Sequence, residues 1–344
     1  MGLVDDFPKD PFTPSLPYAA AAQLPVTIPW GGRFLPMGTP LVVGSQPQDT
    51  RFLDGRCAFS SESLKKTPLA FRSASRGMEA ETSTQTAAAR QEHTSVSLQA
   101  QIGGSVIGMS GRANYEARAA ANQNACFFPT PSPTTLNASF RTEYQTGWIG
   151  FVSPPRLSPL ALELLNTRPD PHTAFRSQFG DYYVGAYLLG GANAQLVSSN
   201  AIVVSSSKDL SGKVEMRFMG LKAEKKIEEH ERSEAAASQI QLTAYDSLEA
   251  WDFDAGSGDV GTLELVAREN QGRCRTLVHR VAGKVESFQL QNGATVSWER
   301  CEDIYRAHLV AQILLLPYAK LREYALAILA AGQTNAELGP EVAC

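Results

Sequence analysis

Two adjacent glycines interrupt the most apolar strand-like segment of this sequence and restrict the folds that it can adopt. Residues Tyr182–Leu189 are almost continuously aromatic or aliphatic, which is typical of a strand buried on both faces. Gly190 and Gly191 follow, and Ala192–Val204 continues with a strand-like composition. Because glycine has no Cβ atom and adopts φ values that other residues avoid, a glycine pair within a strand permits a sharp bend in a sheet. A strand with a bend at these glycines is therefore predicted.

The spacing of apolar residues predicts further strands and helices around this segment. Phe140–Trp148 and Gln239–Ala244 alternate apolar and polar side chains, as strands with one covered and one solvated face do. Pro159–Thr167 is predicted to be a helix with a proline at its first position, and Pro171–Phe179 is predicted to be a second short helix that stops near Gly180. Ser158 is expected to cap the first of them. Helices thus lead into the glycine-containing strand.

The two ends of the chain carry different signals. Residues 1–48 are rich in Pro, Gly and Ala. Because proline fixes φ and cannot donate a ladder hydrogen bond, they are predicted to form an extended arm that either wraps around the domain or dangles from it. Residues 49–335 are expected to form one domain, followed by a tail at 336–344. Within the domain, Glu299–Ala331 is predicted to be helical around a kink at Pro317.

Charge and cysteine usage exclude several classes of function. The chain has 31 basic and 35 acidic residues, so it lacks the basic excess of a nucleic-acid-binding protein. Its first residues lack the basic and apolar regions of a secretory signal peptide, which predicts a soluble protein that is cytoplasmic or released by a non-classical route. Five cysteines are scattered without a CxxC pair, which predicts reduced thiols. They are Cys57, Cys126, Cys274, Cys301 and Cys344.

Motifs of enzymes and metal sites are weak in this sequence. Gly256–Gly261 matches the dinucleotide-binding pattern GxGxxG, but the flanking segments lack Rossmann character, so a hairpin turn is predicted, with Thr262–Ala267 as the next strand. The five histidines show neither an i, i+4 pair nor a nearby cysteine group, as a zinc site would require. Asp252 and Asp254 lie on one face of a strand, and a solvated strand edge is the preferred interpretation over an acid–base pair. We therefore expect no catalytic residue, cofactor or metal, and no enzyme.

One stretch of the sequence resembles the signature of the membrane attack complex/perforin (MACPF) family. That signature is an aromatic residue, Gly, a small polar residue, His and an aromatic residue, with a Gly-Gly pair six residues later. The matching positions are Phe179, Gly180, Asp181, Tyr182, Tyr183, Gly190 and Gly191. The spacing agrees throughout, whereas Asp181 replaces Thr or Ser and Tyr182 replaces His. Fungal members of the family look similar to this variant.

This resemblance implies an α+β fold of the MACPF and cholesterol-dependent cytolysin type. Such a fold has a bent and twisted central sheet of four antiparallel strands, flanked by two helical clusters. By this resemblance, the four strands are expected at Ser95–Met109, Ser139–Val152, Tyr182–Ser205 and Gln239–Leu248. The clusters are expected at about residues 112–137 and 213–238. In the family, each cluster refolds into a membrane hairpin.

The resemblance also implies a function. The chain is expected to be a pore-forming toxin that binds membrane lipid, oligomerises with its own copies and inserts two β-hairpins per subunit. A separate lipid-binding partner is a further expectation, by analogy with two-component fungal haemolysins. The alternative is a non-lytic MACPF-fold protein in adhesion, development or protein interaction, whose clusters simply cover the sheet. Prolines at 129, 131 and 133, within the first cluster, favour this alternative, because proline removes ladder hydrogen bonds. An unrelated α+β enzyme is the third hypothesis.

Overall fold

The computed structural model describes residues 16–30, 33–44, 49–84, 135–167, 170–200, 239–249, 251–256 and 260–337. The strands, in chain order, are β1 (Val26–Pro29), β2 (Pro40–Val42), β3 (Arg51–Phe52), β4 (Leu69–Thr84), β5 (Thr135–Phe151), β6 (Tyr182–Asn200), β7 (Gln239–Asp246), β8 (Trp251–Gly256), β9 (Thr295–Val296) and β10 (Val310–Pro317). The helices are α1 (Leu16–Ala21), α2 (Ser61–Lys66), α3 (Pro159–Thr167), α4 (Pro171–Phe179), α5 (Val260–Arg275), α6 (Leu277–Ser287), α7 (Trp298–Arg306) and α8 (Arg322–Glu337), and Tyr318–Lys320 forms a 3-10 turn.

One antiparallel sheet joins the ten described strands. Its centre has the order β4-β5-β6-β7, in which each long strand pairs with the next along the chain. β10 pairs with the first part of β6, and β1 pairs with β10. The α+β class and the antiparallel central sheet predicted from the sequence are confirmed.

The first central strand lies earlier in the chain than predicted. β4 pairs with β5 from Leu69 opposite Phe151 to Thr84 opposite Asn137, so it takes the position expected for Ser95–Met109. The latter range lies outside the described residues. Beyond Phe71, β4 is rich in Ser, Thr, Glu and Arg and shows no regular apolar alternation, so hydrophobic periodicity does not identify it as a strand. The other three central strands were predicted within a few residues of their observed bounds.

The two helices before the glycine-containing strand are confirmed with the predicted bounds. Ser158 Oγ accepts a hydrogen bond from the Ala161 amide at 3.2 Å, as expected of a capping residue. Asp170 caps α4 by accepting from the Thr173 amide at 3.1 Å. Gly180 ends α4 with a positive φ of 74°. Local signals therefore set both helices.

Two predictions of secondary structure in the C-terminal third were wrong. Glu299–Ala331 is not one kinked helix, because β10 lies between α7 and α8. β10 is buried between β1 and β6, and pairing on both edges overrides its helix propensity. Thr262–Ala267 belongs to α5 and not to a strand, since Leu263, Ala267 and Asn270 share one buried helical face.

The described part of the proline-rich N-terminal segment packs on the core, which agrees with the wrapping alternative predicted for residues 1–48. Its described part contributes α1, β1 and β2. Several of its apolar side chains are buried in the main core: Leu16, Val26, Ile28, Trp30, Leu35, Met37 and Leu41. Its prolines fit because Pro29 and Pro40 lie at strand ends, where the missing amide matters least.

Both predicted helical clusters lie almost entirely outside the described residues. Of the first, only residues 135–137 are described, and they belong to β5. Residues 213–238, the second cluster, are not described. Of the predicted tail, residues 336–337 are described and end α8. Among the described helices, none has the length and apolar character needed to cross a bilayer.

Candidate functional site at the paired glycines

The neighbour of β6 changes at the paired glycines. Residues 182–189 of β6 pair with β10, whereas residues 193–200 pair with β7. β5 pairs with β6 from Ala186 to Asn200, and so on both sides of this change, whereas β2 pairs with Tyr182 and Tyr183. We call the two parts the β10 half and the β7 half of the sheet, and Gly190 and Gly191 lie at their junction.

Bulges in two strand pairs meet at this junction. The β5–β6 register shifts between Gln145 and Gly147, and the β4–β5 register shifts between Ser73 and Arg76. Gly147 pairs with Ser73, and Gln145 pairs with both Arg76 and Gly190, so the two irregularities lie at one level. Because a bulge bends its strand and increases the local twist, this level is where a bend in the sheet is expected.

The glycines at the junction allow close approach of neighbouring groups. A Cβ atom on Gly190 would overlap the carbonyl oxygen of Tyr144 on β5. A Cβ atom on Gly191 would lie 2.9 Å from Leu248 Cγ and 3.0 Å from Leu277 Cδ1, the first residue of α6. Gly190 therefore brings two strands together, and Gly191 forms a notch in which α6 is seated.

The aromatic residues of the signature are core residues. Tyr182 is fully buried and donates a hydrogen bond from its hydroxyl to the Leu24 carbonyl at 2.9 Å. Tyr183 packs edge-on against Phe59, with ring centroids 4.9 Å apart, and burial raises its pKa to about 12. Phe179 packs on Phe175 at a centroid distance of 5.2 Å. These side chains stabilise the β10 half.

Asp181 connects α4 to the N-terminal strand β2. Its Oδ1 accepts from Arg176 Nε and its Oδ2 from the Val43 amide, both at 2.7 Å. The Arg176 guanidinium also donates to the Val43 carbonyl oxygen. Next to it, a Cβ atom on Gly180 would overlap the Leu41 carbonyl oxygen. The structure therefore brings Phe179–Tyr183 together as a junction between α4, β2 and β6, and the paired glycines lie at the other end of the β10 half.

We expect Asp181→Asn to lower the free energy of unfolding by about 2 kcal/mol, because an amide offers one acceptor oxygen where two charge-assisted hydrogen bonds are made. Chemical denaturation measures this change. Asp54→Asn is the matched control, since Asp54 pairs with Arg33 at 2.6 Å on the surface, with 65% of its side chain exposed. That substitution should change the stability by less than about 0.5 kcal/mol. Equal losses in the two variants would contradict the role given to Asp181.

Sequence reasoning missed the polar contacts of α5 and α6 on the β7 half. Asp246, the last residue of β7, is fully buried and bound by Arg280 of α6. Asn193 of β6 is also fully buried and bound by Asn270 of α5. Neither helix carries a sequence motif that predicts these contacts. A polar residue within an apolar strand pattern, such as Asn193, is a signal that could have indicated a buried polar contact.

The described residues contain no cluster of three or more His, Cys, Asp or Glu side chains that could hold a metal ion. Cys57, Cys274 and Cys301 are free thiols. Burial raises the pKa of Cys301 to about 12, so this thiol is not expected to react as a thiolate near neutral pH. The strand before the GxGxxG pattern, β8, pairs antiparallel with β7, unlike a Rossmann strand.

Comparisons with known proteins gave structural matches at low identity. No family model and no curated protein matches this chain. GNIP1Aa from Chromobacterium piscinae is 14% identical with a TM-score of 0.31, and the match covers 93% of this chain and 58% of that one. A non-hemolytic pneumolysin from Streptococcus pneumoniae is 8% identical, at 72% and 56% coverage and a TM-score of 0.36. A cell invasion protein with a MAC/perforin domain from Bacteroides thetaiotaomicron is 9% identical, at 71% and 56% coverage and a TM-score of 0.28. This chain thus spans under two thirds of each of those chains.

Proposed function

We propose that this chain is a MACPF-type pore-forming protein that oligomerises on membranes and inserts two β-hairpins per subunit. The observation that carries the proposal is the position of the strand ends. Thr84 lies opposite Asn137 in the β4–β5 pair, and Asn200 lies opposite both Thr135 and Gln239. The four central strands therefore end at one end of the sheet, and residues 85–134 and 201–238 join them there in pairs.

This geometry supports growth of two hairpins from strands that are already paired. β4 with β5, and β6 with β7, are antiparallel pairs, and the described part of each pair extends to that end of the sheet. A membrane-spanning strand needs about 9–11 residues, and each connecting segment is long enough for two such arms. In the second segment, Val214, Met216 and Phe218 alternate with charged residues, which suits an arm with one face toward lipid.

Assembly of copies requires open sheet edges. Beyond Ser73, the outer edge of β4 has no strand partner among the described residues, and such an edge is able to accept another strand. On the opposite side of the four strands, β8 covers β7 from Gln241 to Asp246. We propose that copies join edge to edge, β4 of one to β7 of the next, after β8 has left. The proposed action is mechanical and includes no catalytic step.

Dye release from vesicles tests the proposal. The purified chain is mixed with dye-filled vesicles of phosphatidylcholine and cholesterol, with and without sphingomyelin, and the vesicles are imaged by electron microscopy for arcs or rings. Release that accompanies rings is the expected result. Rings or binding without release would support the non-lytic alternative. A separate lipid-binding partner, as in the fungal systems that the signature resembles, is indicated if release needs a second protein.

A further inference from the structure

The helices that cover the β7 half make buried polar contacts in addition to apolar ones. Leu277 and Val281 of α6 belong to the same main core cluster as the β10 half. In the β10 half, Val184, Leu189, Ile313 and Leu315 are buried in the main core cluster. In the β7 half, the buried set includes an unusual number of polar side chains. They are Thr142, Asn193, Gln195, Thr243, Asp246, Asn270 and Gln271. Buried polar contacts therefore distinguish the β7 half, while the apolar core continues beneath α6.

An ion pair joins α6 to the end of β7. Arg280 donates to Asp246 Oδ2 at 2.6 Å and to Glu249 Oε1 at 2.8 Å. The side chain of Asp246 is 0% exposed, and its Oδ1 accepts from the Leu248 amide at 3.0 Å. Glu249 is half exposed, so the contact of Arg280 with Asp246 is the buried one of the two.

Lys284, one turn further along α6, extends this contact. It donates to the Leu248 carbonyl oxygen at 2.7 Å and also to the Ala307 carbonyl oxygen. Burial lowers the pKa of Lys284, and the nearby charge of Arg280 lowers it further. The ammonium group is therefore partly withdrawn from water and is used to hold the turn after β7.

Amide side chains hold α5 in a similar way. Asn193 of β6 donates to Asn270 Oδ1 at 3.0 Å and accepts from the Cys274 thiol at 2.6 Å. Asn270 in turn donates to the Ala194 carbonyl at 3.2 Å. The Thr142 hydroxyl, opposite Asn193 on β5, is buried without a hydrogen-bond partner in the described part of the chain.

A buried polar interface is specific, but it separates more readily than an apolar one. The separated groups regain hydrogen bonds to water, so their net contribution to stability is small, whereas removing one partner leaves the other buried and unpaired. We propose that the Asp246–Arg280 ion pair is a latch that holds α6 on the β7 half, and that its release at the Gly190–Gly191 junction frees that half to straighten. The latch deepens the proposed function and rests on it.

Hydrogen exchange of the full chain in solution, followed by mass spectrometry, tests the latch without any membrane. In Asp246→Asn, we expect exchange about tenfold faster in β7 and α6, with no change in β10 and residues 182–189 of β6. Glu302→Gln is the matched control, because Glu302 pairs with Arg306 at 2.5 Å on the exposed face of α7. Unchanged exchange in Asp246→Asn, or an equal rise in both halves, would overturn the proposal.

A double-mutant cycle and a vesicle assay complete the test. Arg280→Gln, combined with Asp246→Asn, should cause no more local exchange than either single change, because one interaction is lost in all three. Exchange in the double variant that equals the product of the two single effects would reject the pair as a unit. Vesicle dye release should begin earlier in Asp246→Asn than in the unmodified chain. If local exchange rises but neither protein releases dye, the latch stands and the pore-forming function fails.

Discussion

Gly190→Ala is expected to lower the free energy of unfolding by about 3 kcal/mol, which is large for the addition of one methyl group. The added Cβ atom would overlap the Tyr144 carbonyl oxygen and lie 2.9 Å from Gln145 Cα. Both are backbone atoms of β5, so relief requires that two paired strands move apart. The loss should therefore be accompanied by weaker pairing at the bulged level of the sheet.

Urea denaturation followed by circular dichroism measures this loss, and Gly77→Ala is the matched control. Gly77 also lies in a long central strand, but a Cβ atom there would make an ordinary contact, 3.5 Å from the Tyr144 ring. Since alanine restricts the unfolded chain more than glycine does, Gly77→Ala should be neutral or stabilise by up to about 1 kcal/mol. If the two variants lose the same stability, the close approach at Gly190 is not what requires glycine.

A disulfide between β7 and β8 is expected to abolish vesicle dye release. Ala244 and Phe253 lie directly opposite each other in this pair, a separation that a disulfide can bridge with small adjustment. In the double variant Ala244→Cys/Phe253→Cys, the cross-link would keep β8 on the edge of β7 and so block the arrival of a second copy. Release should fall to the background of vesicles alone and return when a reductant is added.

The two single cysteine variants are the controls, because they carry the same substitutions without a cross-link. Oxidised and reduced samples of each should release dye equally. Full release by the oxidised double variant, with the disulfide verified by mass spectrometry, would show that β8 need not leave β7. Assembly through that edge would then be rejected, and another contact between copies would have to be found.

Local signals in the sequence were sufficient for some elements and not for others. α3 was predicted because Pro159 lies at the first helical position after Ser158, a capping residue, and α4 was predicted to end near Gly180. β10 was missed because its pairing partners, β1 and β6, lie far from it in the sequence, and helix propensity was the only local guide. β4 was placed too late for the same reason, since nothing within Leu69–Thr84 identifies β5 as its partner.

The candidate site shows the same division. The positions of Gly190 and Gly191 were read from spacing, and the structure places them at the junction where β6 changes neighbours. The contact of Arg280 with Asp246 was not predictable, because an ion pair between residues 34 positions apart leaves no trace in either segment. Assignment of the seven signature positions to the MACPF pattern remains a prediction from the sequence.

The pairing of β1 with β10 has a consequence for how this chain folds. Val26 lies opposite Leu315, so one edge of the sheet pairs β1 with a strand about 290 residues later in the sequence. Contacts of such long sequence separation form slowly, because the entropy of closing the loop is lost before any contact is gained. On a ribosome, the β4–β5 hairpin is complete long before β10 emerges, and during that interval the edge of β6 that β10 will occupy stays uncovered. A nascent chain of this kind is most exposed to aggregation at that stage, and chaperones would be expected to act there.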